Sequence, residues 1–345
     1  MRRLKYIVRK IKHALGKKKI FKNPLIKRFC SKRFMLPRIF LVAAACSVGA
    51  FIYQQKNLDT IYANYPLPKP QEIVSYPDAK LSFGLINDIH ALAKSYGKGY
   101  ILSPRYKLTV EEFTETMRDD FKPDFMVANG DVIDGTYQEP NEGMAILGML
   151  KTIFEKAGMP AYWVIGNHDL RSLSDEQWLS ALEIDYLDKA FFVGDYKIIL
   201  MDSQYSSGGR IEGDDEKSSD GILFSDKQKK WLEKELQNTR KIPVVFMHNP
   251  PFEYIDNKPC GASAQEAAYL QDMFARYHVA AVFAGHIEKL FHQKIGGVDY
   301  YVLPGIKKNG VYFGTFSEIT MTRRHAEVDL FYRDAANNEK IERVE

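Results

Sequence analysis

The chain has 345 residues, 45% of them hydrophobic and 27% charged, the make-up of a folded globular protein with length for one large domain or two ordinary ones. Its net charge of +4 hides an asymmetry: sixteen of the 48 Lys and Arg lie at or before Lys56, where no Asp or Glu occurs, leaving 32 basic against 44 acidic residues beyond. Cys30 and Cys46 fall in that basic start and Cys260 stands alone after it, which excludes a disulfide within the remainder.

At the N-terminus Leu4, Ile7, Val8, Ile11 and Leu15 recur at helical spacing among Lys and Arg. A basic amphipathic helix on an anionic membrane face is expected, with a nucleic-acid-binding or unstructured tail as the competing readings. Ile39 to Tyr53 is an uncharged run of fifteen residues between Arg38 and Lys56. Its length lies between a signal core and a full span of about twenty residues. Residues 36–55 are therefore expected to be a transmembrane anchor or a cleaved export signal, a buried helix being the remaining alternative. The positive flank puts residues 1–35 in the cytoplasm as a basic tail and the rest on the far side, periplasmic or extracellular. No Asn-x-Ser/Thr site occurs, which favours a bacterial envelope setting over a glycosylated one.

Residues 56–79 hold four prolines and little periodicity and read as a linker. The folded domain is expected over 80–335, with 336–345 as a C-terminal tail. Short apolar runs predict strands at Leu81–Asn87, Phe125–Asn129, Ala161–Ile165, Lys197–Met201, Val244–Met247 and Ala280–Ala284. Helical patterns fall between them at Thr109–Asp120, Gly143–Lys156, Asp226–Asn238 and Ala264–Tyr277. Ser225 with Gln228, and Ser263 with Glu266, have the spacing of capping boxes. Later stretches at Tyr300–Leu303, Gly310–Ile319 and Glu327–Tyr332 alternate like antiparallel strands.

Five polar clusters each sit at the C-terminal end of an apolar run: Asp88-Ile89-His90, Asp131 in NGDVIDG, Asn167-His168 in GNHD, His248 in MHNPP, and Gly285-His286. Open α/β sheets gather their ligands at that edge. Singly, such clusters are ordinary: an Asp-x-His is usually a surface turn, and a lone histidine near an apolar run is usually hydrogen-bonded near the core. Five in succession would assemble carboxylates and imidazoles in one crevice, and like charges so placed need a cation. Carboxylate, imidazole and amide ligands suit Mn²⁺, Fe or Zn²⁺, and Asp131 is placed to bridge two ions.

The series resembles the calcineurin-like metallophosphoesterases, whose D-x-H, G-D-x-x-D, G-N-H-[DE], H and G-H-x-H motifs are matched by Asp88/His90, Gly130-Asp131/Asp134, Gly166-Asn167-His168-Asp169, His248 and Gly285-His286 over roughly residues 80 to 320. "MDSQ" and "GILFSDKQKKWLEKEL" also look like the segment between the third and fourth motifs of cyclic-nucleotide phosphodiesterases and purple acid phosphatases. The resemblance implies an α/β fold, a metallophosphoesterase-type β-sandwich flanked by helices. It implies Asp88 and His90 on a first ion, Asp131 as bridge, Asn167, His248 and His286 on a second, and His168 steadying the phosphoryl group or protonating the leaving alkoxide. Asp134 would support the site from behind, and Asp169 would be structural. The implied activity is hydrolysis of a phosphomonoester or phosphodiester by hydroxide generated between two ions, with no phosphorylated protein intermediate.

One ligand position departs from the pattern: Glu288 stands where the family has a second histidine. It reads either as a third acidic ligand to the first ion, favouring Mn²⁺ or Fe over Zn²⁺, or as pointing away and leaving that site underfilled. A third reading substitutes His292, although four extended residues span about 13 Å. A membrane-tethered domain that binds metal or phosphate without turnover is the alternative function, and retention of His168 argues against it. The polar segment Ser203–Gly221 reads as a solvated loop or a cleft wall in which Arg210 meets phosphate; Tyr137 and Tyr254 read as packing or as platforms for a base or sugar. The expected partners are a small phosphate ester and the membrane, not nucleic acid. Outside the cytoplasm, phosphomonoesters, nucleotides or envelope phosphodiesters are expected before intracellular cyclic nucleotides.

Overall fold

The computed structural model describes residues 76–93, 105–211, 213, 220–306, 314–333 and 338–344. The expected tail, anchor and most of the linker fall in 1–75, outside the described residues; among those described, no helix is long and apolar enough to cross a membrane. In chain order the strands are β1 (Lys80–Ile86), β2 (Phe125–Asn129), β3 (Ala161–Val164), β4 (Lys189–Val193), β5 (Tyr196–Met201), the short hairpin β6 (Tyr205–Ser206) with β7 (Gly209–Arg210), β8 (Ile242–Met247), the hairpin β9 (Tyr254–Ile255) with β10 (Lys258–Pro259), β11 (Ala281–Ala284), β12 (Phe291–Ile295), β13 (Val298–Val302), β14 (Phe316–Thr322), β15 (His325–Arg333) and β16 (Glu339–Val344). The helices are α1 (Arg105–Thr116), α2 (Pro140–Glu155), α3 (Asp175–Leu182), α4 (Asp226–Gln237) and α5 (Ala264–Arg276).

Two six-stranded sheets result, ordered β16-β15-β14-β1-β2-β3 and β12-β13-β11-β8-β5-β4. In the first, β1, β2 and β3 run parallel; in the second, β13, β11, β8 and β5 do. Side chains alternate across each strand. Leu81, Phe83 and Leu85 of β1 enter a core shared with Phe246 of β8 and Phe283 of β11. Met126 and Ala128 of β2 face the other way, against Phe113, Leu147, Phe154 and Trp178 of the helices. The continuous apolar runs read from the sequence are explained by this burial on both faces. Phe83 is the pivot between sheets, with ring centroids 5.3 Å from Phe125, 5.1 Å from Phe246 and 5.2 Å from Phe283.

The helix signals worked as chemistry. Helix α2 starts one turn before its expected boundary, with Pro140 in its first turn and the Glu142 carboxylate accepting the Glu139 N–H at 3.3 Å. Ser225 and Gln228 form the complete reciprocal box. Ser263 caps only one way: its hydroxyl accepts the Glu266 N–H, but the Glu266 carboxylate takes the Leu223 and Phe224 N–H groups and the Lys229 ammonium instead. A buried carboxylate gains more from a cation and two donors from elsewhere in the fold than from the single N–H of its own cap.

The last residues are not all tail. Glu339 to Val344 pairs antiparallel with β15 as an edge strand, unread because its alternation is charged except at Ile341 and Val344. Strands β4 and β12 and the eight-residue α3 were also unread, being edge or short elements whose patterns are weak by themselves. Phe83→Ala is expected to cost about 3–5 kcal/mol, read as a fall in the urea midpoint; a loss below about 1 kcal/mol would show that the sheets do not close on that ring.

Candidate dinuclear metal centre

The loops after the parallel strands of both sheets converge. Asp88 and His90 follow β1, Asp131 follows β2, Asn167 and His168 follow β3, His248 follows β8, and His286 and Glu288 follow β11. The backbone is bent for this purpose: Asp88, His90, Asp131, His286 and Glu288 all have φ between 46° and 65°, in the left-handed region that costs an L-residue about 1 kcal/mol or more. Asp88/His90 and His286/Glu288 thus repeat one pattern, two left-handed residues separated by one. Gly130, at φ 85°, lies where a Cβ would enter the His248 ring, so the NGD turn admits nothing larger.

The ligand types separate into two groups sharing Asp131: Asp88, His90 and Asp131, and Asp131, His248 and His286. In the second, Asn167 Oδ1 is 3.0 Å from His286 Nδ1 and 3.2 Å from His248 Nε2, which is 3.2 Å from Asp131 Oδ2. Such spacings match the edges of a coordination shell with metal–ligand bonds of about 2.1 Å. His248 donates Nδ1–H to the Asn129 carbonyl at 3.1 Å, which turns Nε2 to the group. The same Asp131 oxygen, Oδ2, lies 3.7 Å from His90 Nε2, as a bridging ligand requires.

Around the first group, Glu288 Oε1 is 3.3 Å from His90 Nε2. Glu288 points in, and the reading in which it turns away is not what the fold shows. His292 is elsewhere: it stacks on Tyr301 at 4.2 Å and pairs with Asp299 at 3.1 Å, because β12 carries it outward along the sheet. Both ring nitrogens of His90 are buried without a hydrogen-bond partner. Buried imidazole nitrogens are normally satisfied; Nδ1 faces Asp134 at 3.8 Å, and the orphaned Nε2 beside Asp131 and Glu288 is what a cation site looks like from the protein side.

The charges agree. Burial, then Asp131 and Glu288 nearby, push the Asp88 carboxyl well above its ordinary value, although His248 opposes this. Burial would also raise Asp131, but His248, His168 and His90 outweigh it and hold that carboxyl well below the usual range. Burial lowers His248, yet the Asp131 carboxylate overrides it and carries the ring up to about 10. Burial and the neighbouring His248 push His286 down to about 3. Without an ion, then, His248 holds a proton to compensate Asp131.

His168 stays outside both groups. Its Nδ1 is 2.9 Å from Asp134 Oδ1, and its backbone N–H donates to Asp131 Oδ1 at 2.8 Å. His90, Asp134 and His168 are also within reach of one another, but the short Asp134 contact makes His168 and Asp134 a hydrogen-bonded dyad. Burial favours a neutral Asp134, but the His168 bond and charge hold its pKa at about 2. Asp169 clamps the loops, accepting the Ile133 and Gly166 N–H groups at 2.8 Å each.

Two further residues were missed. Arg171 donates to Thr136 Oγ1 at 2.7 Å, which sets its guanidinium 2.8 Å from the His168 nitrogen that Asp134 engages, its i+3 spacing in a 3₁₀ turn being the only signal. Asn129, beside the G-D motif, spreads its amide NH₂ over Asn87 Oδ1 at 3.0 Å, Met247 O at 3.3 Å and Phe283 O at 3.4 Å, tying the sheets together beneath the ligands. Arg210 does not face phosphate; it is held by Asp175 and buried Asp202. Tyr254 is 58% exposed and lines a cleft beside His286.

The calcineurin-like phosphoesterase family profile matches residues 81–289, a stretch that holds every ligand candidate from Asp88 to Glu288. The chain belongs to that family. It is 30% identical over 130 residues to a manganese-dependent ADP-ribose/CDP-alcohol diphosphatase of Arabidopsis thaliana, covering 35% of this chain and 42% of that one. It is 26% identical over 172 residues to a cAMP/cGMP dual specificity phosphodiesterase of Mycobacterium tuberculosis, covering 48% and 49%. The matches thus span less than half of either relative. A dimetal phosphatase structure from Danio rerio shares the fold, with a TM-score of 0.59 at 16% identity over 76% of this chain and 98% of that one.

Two measurements check the centre. His248 has its folded pKa above the unfolded value of about 6.5, so its contribution to metal-free stability is present at low pH and lost as pH rises through about 10. Because an ion takes the neutral ring, Mn²⁺ uptake at pH 7 should release protons and tighten from pH 6 to 8, as titration calorimetry in buffers of different ionisation enthalpy reads; uptake without proton release counts against His248 as ligand. Glu288→Ala should lower bound metal per chain by elemental analysis, and unchanged stoichiometry removes Glu288 from the shell.

Proposed function

We propose that the chain is a dinuclear-metal phosphoesterase that hydrolyses a phosphomonoester or phosphodiester. The observation that carries this is the pair of ligand groups sharing Asp131, with the His168–Asp134 dyad directly beside them. Asp88, His90, Asp131 and Glu288 would hold one ion and Asp131, Asn167, His248 and His286 the other. When bound, such ions neutralise phosphoryl oxygens and lower the pKa of water. The chain's own residues do the rest. Asp134 holds His168 through Nδ1 and leaves Nε2 for the ester, where it steadies a phosphoryl oxygen or gives a proton to the departing alcohol. Asp131 is oriented by the His168 N–H, so the bridge and the acid move as one unit. Asn167 brings a neutral amide oxygen and so limits the negative charge that an anionic substrate meets.

The carboxylate-rich first group favours Mn²⁺ or Fe over Zn²⁺, in keeping with the manganese named for the Arabidopsis relative. The basic and apolar N-terminus supports a membrane-anchored placement with the hydrolase outside the cytoplasm. A binding domain without turnover has less support, since a pure binder has no use for an oriented acid.

Metal-stripped protein reloaded with Mn²⁺ should hydrolyse p-nitrophenyl phosphate or its bis ester. His168→Ala should lower kcat by about 10²–10⁴-fold with bound metal unchanged. Full metal occupancy with no turnover of either ester would leave the binding domain as the better description.

A further inference from the structure

Beside the second ligand group opens a cleft of about 430 Å³, with Asn167 and His286 in one wall. Asn167 and His286 are themselves candidate ligands, so an ester whose phosphoryl group meets the centre has this cleft alongside for its alcohol. The cleft has a polar floor. Asn249 Oδ1 accepts from Gln204 Nε2 at 2.6 Å and from Ser203 Oγ at 3.2 Å, and its NH₂ donates to the Cys260 carbonyl at 3.2 Å. Those three side chains are buried and uncharged.

The charges on the cleft are of one sign. Asp220 and Glu253 line it, and among the described residues its wall has no Lys or Arg. Of the described cations adjacent in sequence to that wall, Arg210 is taken up by Asp202 and Asp175, and the Lys258 ammonium donates to the Ile287 carbonyl at 3.2 Å. Tyr254 adds an exposed aromatic ring at the same wall. Two carboxylates repel an anionic leaving group and attract a cationic one, while an aromatic face suits a planar ring or an alkylammonium.

We infer that this cleft is a leaving-group subsite for a hydroxylated, non-anionic alcohol, ranking cationic above neutral above anionic. The inference rests on the phosphoesterase reading and narrows it to esters with a single phosphoryl group at the centre, against substrates that would seat a second phosphate here. In the reaction, water's oxygen bonds to phosphorus and gives up a proton to solvent, the P–O bond to the alcohol breaks, the alcohol oxygen takes a proton from His168 that solvent restores, and the alcohol departs through the cleft.

The test uses phenyl phosphates bearing para trimethylammonium, nitro or sulfonate groups, on Mn²⁺-loaded full-length chain and the double variant Asp220→Asn/Glu253→Gln. Comparing variant with wild type cancels the esters' intrinsic reactivities. The cation-to-anion ratio of kcat/KM should fall about tenfold in the variant, and in the wild type should shrink with added salt. Bound metal and Tm should be unchanged, which separates a charge effect from misfolding. A ratio equal in both proteins, with the nitrophenyl ester still turned over, overturns the subsite and leaves the hydrolase standing. No turnover of any ester by the metal-loaded chain overturns both.

Discussion

Asp88, Asp131 and Glu288 are crowded at the meeting line of two sheets, behind strands whose side chains are almost wholly apolar. Bringing like charges together in a low-dielectric setting is unfavourable unless cations join them. The protein accepts this at the one place where it can supply imidazoles from both sheets. The left-handed backbones at Asp88, His90, Asp131, His286 and Glu288 are a second cost of the same arrangement. Backbone strain and clustered charge on the same residues mark a place shaped for a ligand rather than for stability.

What holds that crowding in register is the inter-sheet core and the polar ties just above it. Phe83, Phe246 and Phe283 fix the distance between sheets, and Asn129 joins the ends of β2, β8 and β11 through a single buried amide. Asp169 clamps the GNHD loop to the GDVID loop. The acidic and imidazole side chains therefore move only as far as the two sheets move, which is what a site built from five separate strand ends requires.

The surroundings of the centre divide the work. His168 meets both the Asp134 carboxylate and the Arg171 guanidinium at Nδ1, which leaves Nε2 for an ester. The cleft combines uncharged amides with Asp220, Glu253 and Tyr254.

The candidate ligands were readable along the chain because each lies just after a short apolar run, and the run both marks and places it. Asp88, His90, Asp131, Asn167, His248 and His286 stand out that way, as do the helices that start after Ser225 and Ser263. Edge elements such as β4, β12 and β16 were not readable, since half their surface faces solvent and their periodicity carries little signal. Only the fold decided the open points. Glu288 turns toward His90, His292 toward Asp299, Glu266 leaves its cap for Lys229, and Arg210 closes an ion-pair cluster instead of waiting for phosphate. In each case the chain specifies a polar residue type, while its partner comes from another element, as near as the next strand for His292 and as far as the other sheet for Glu288. Periodicity describes how one segment meets a generic interior; which charge meets which is set by how the elements pack, and no local pattern encodes that.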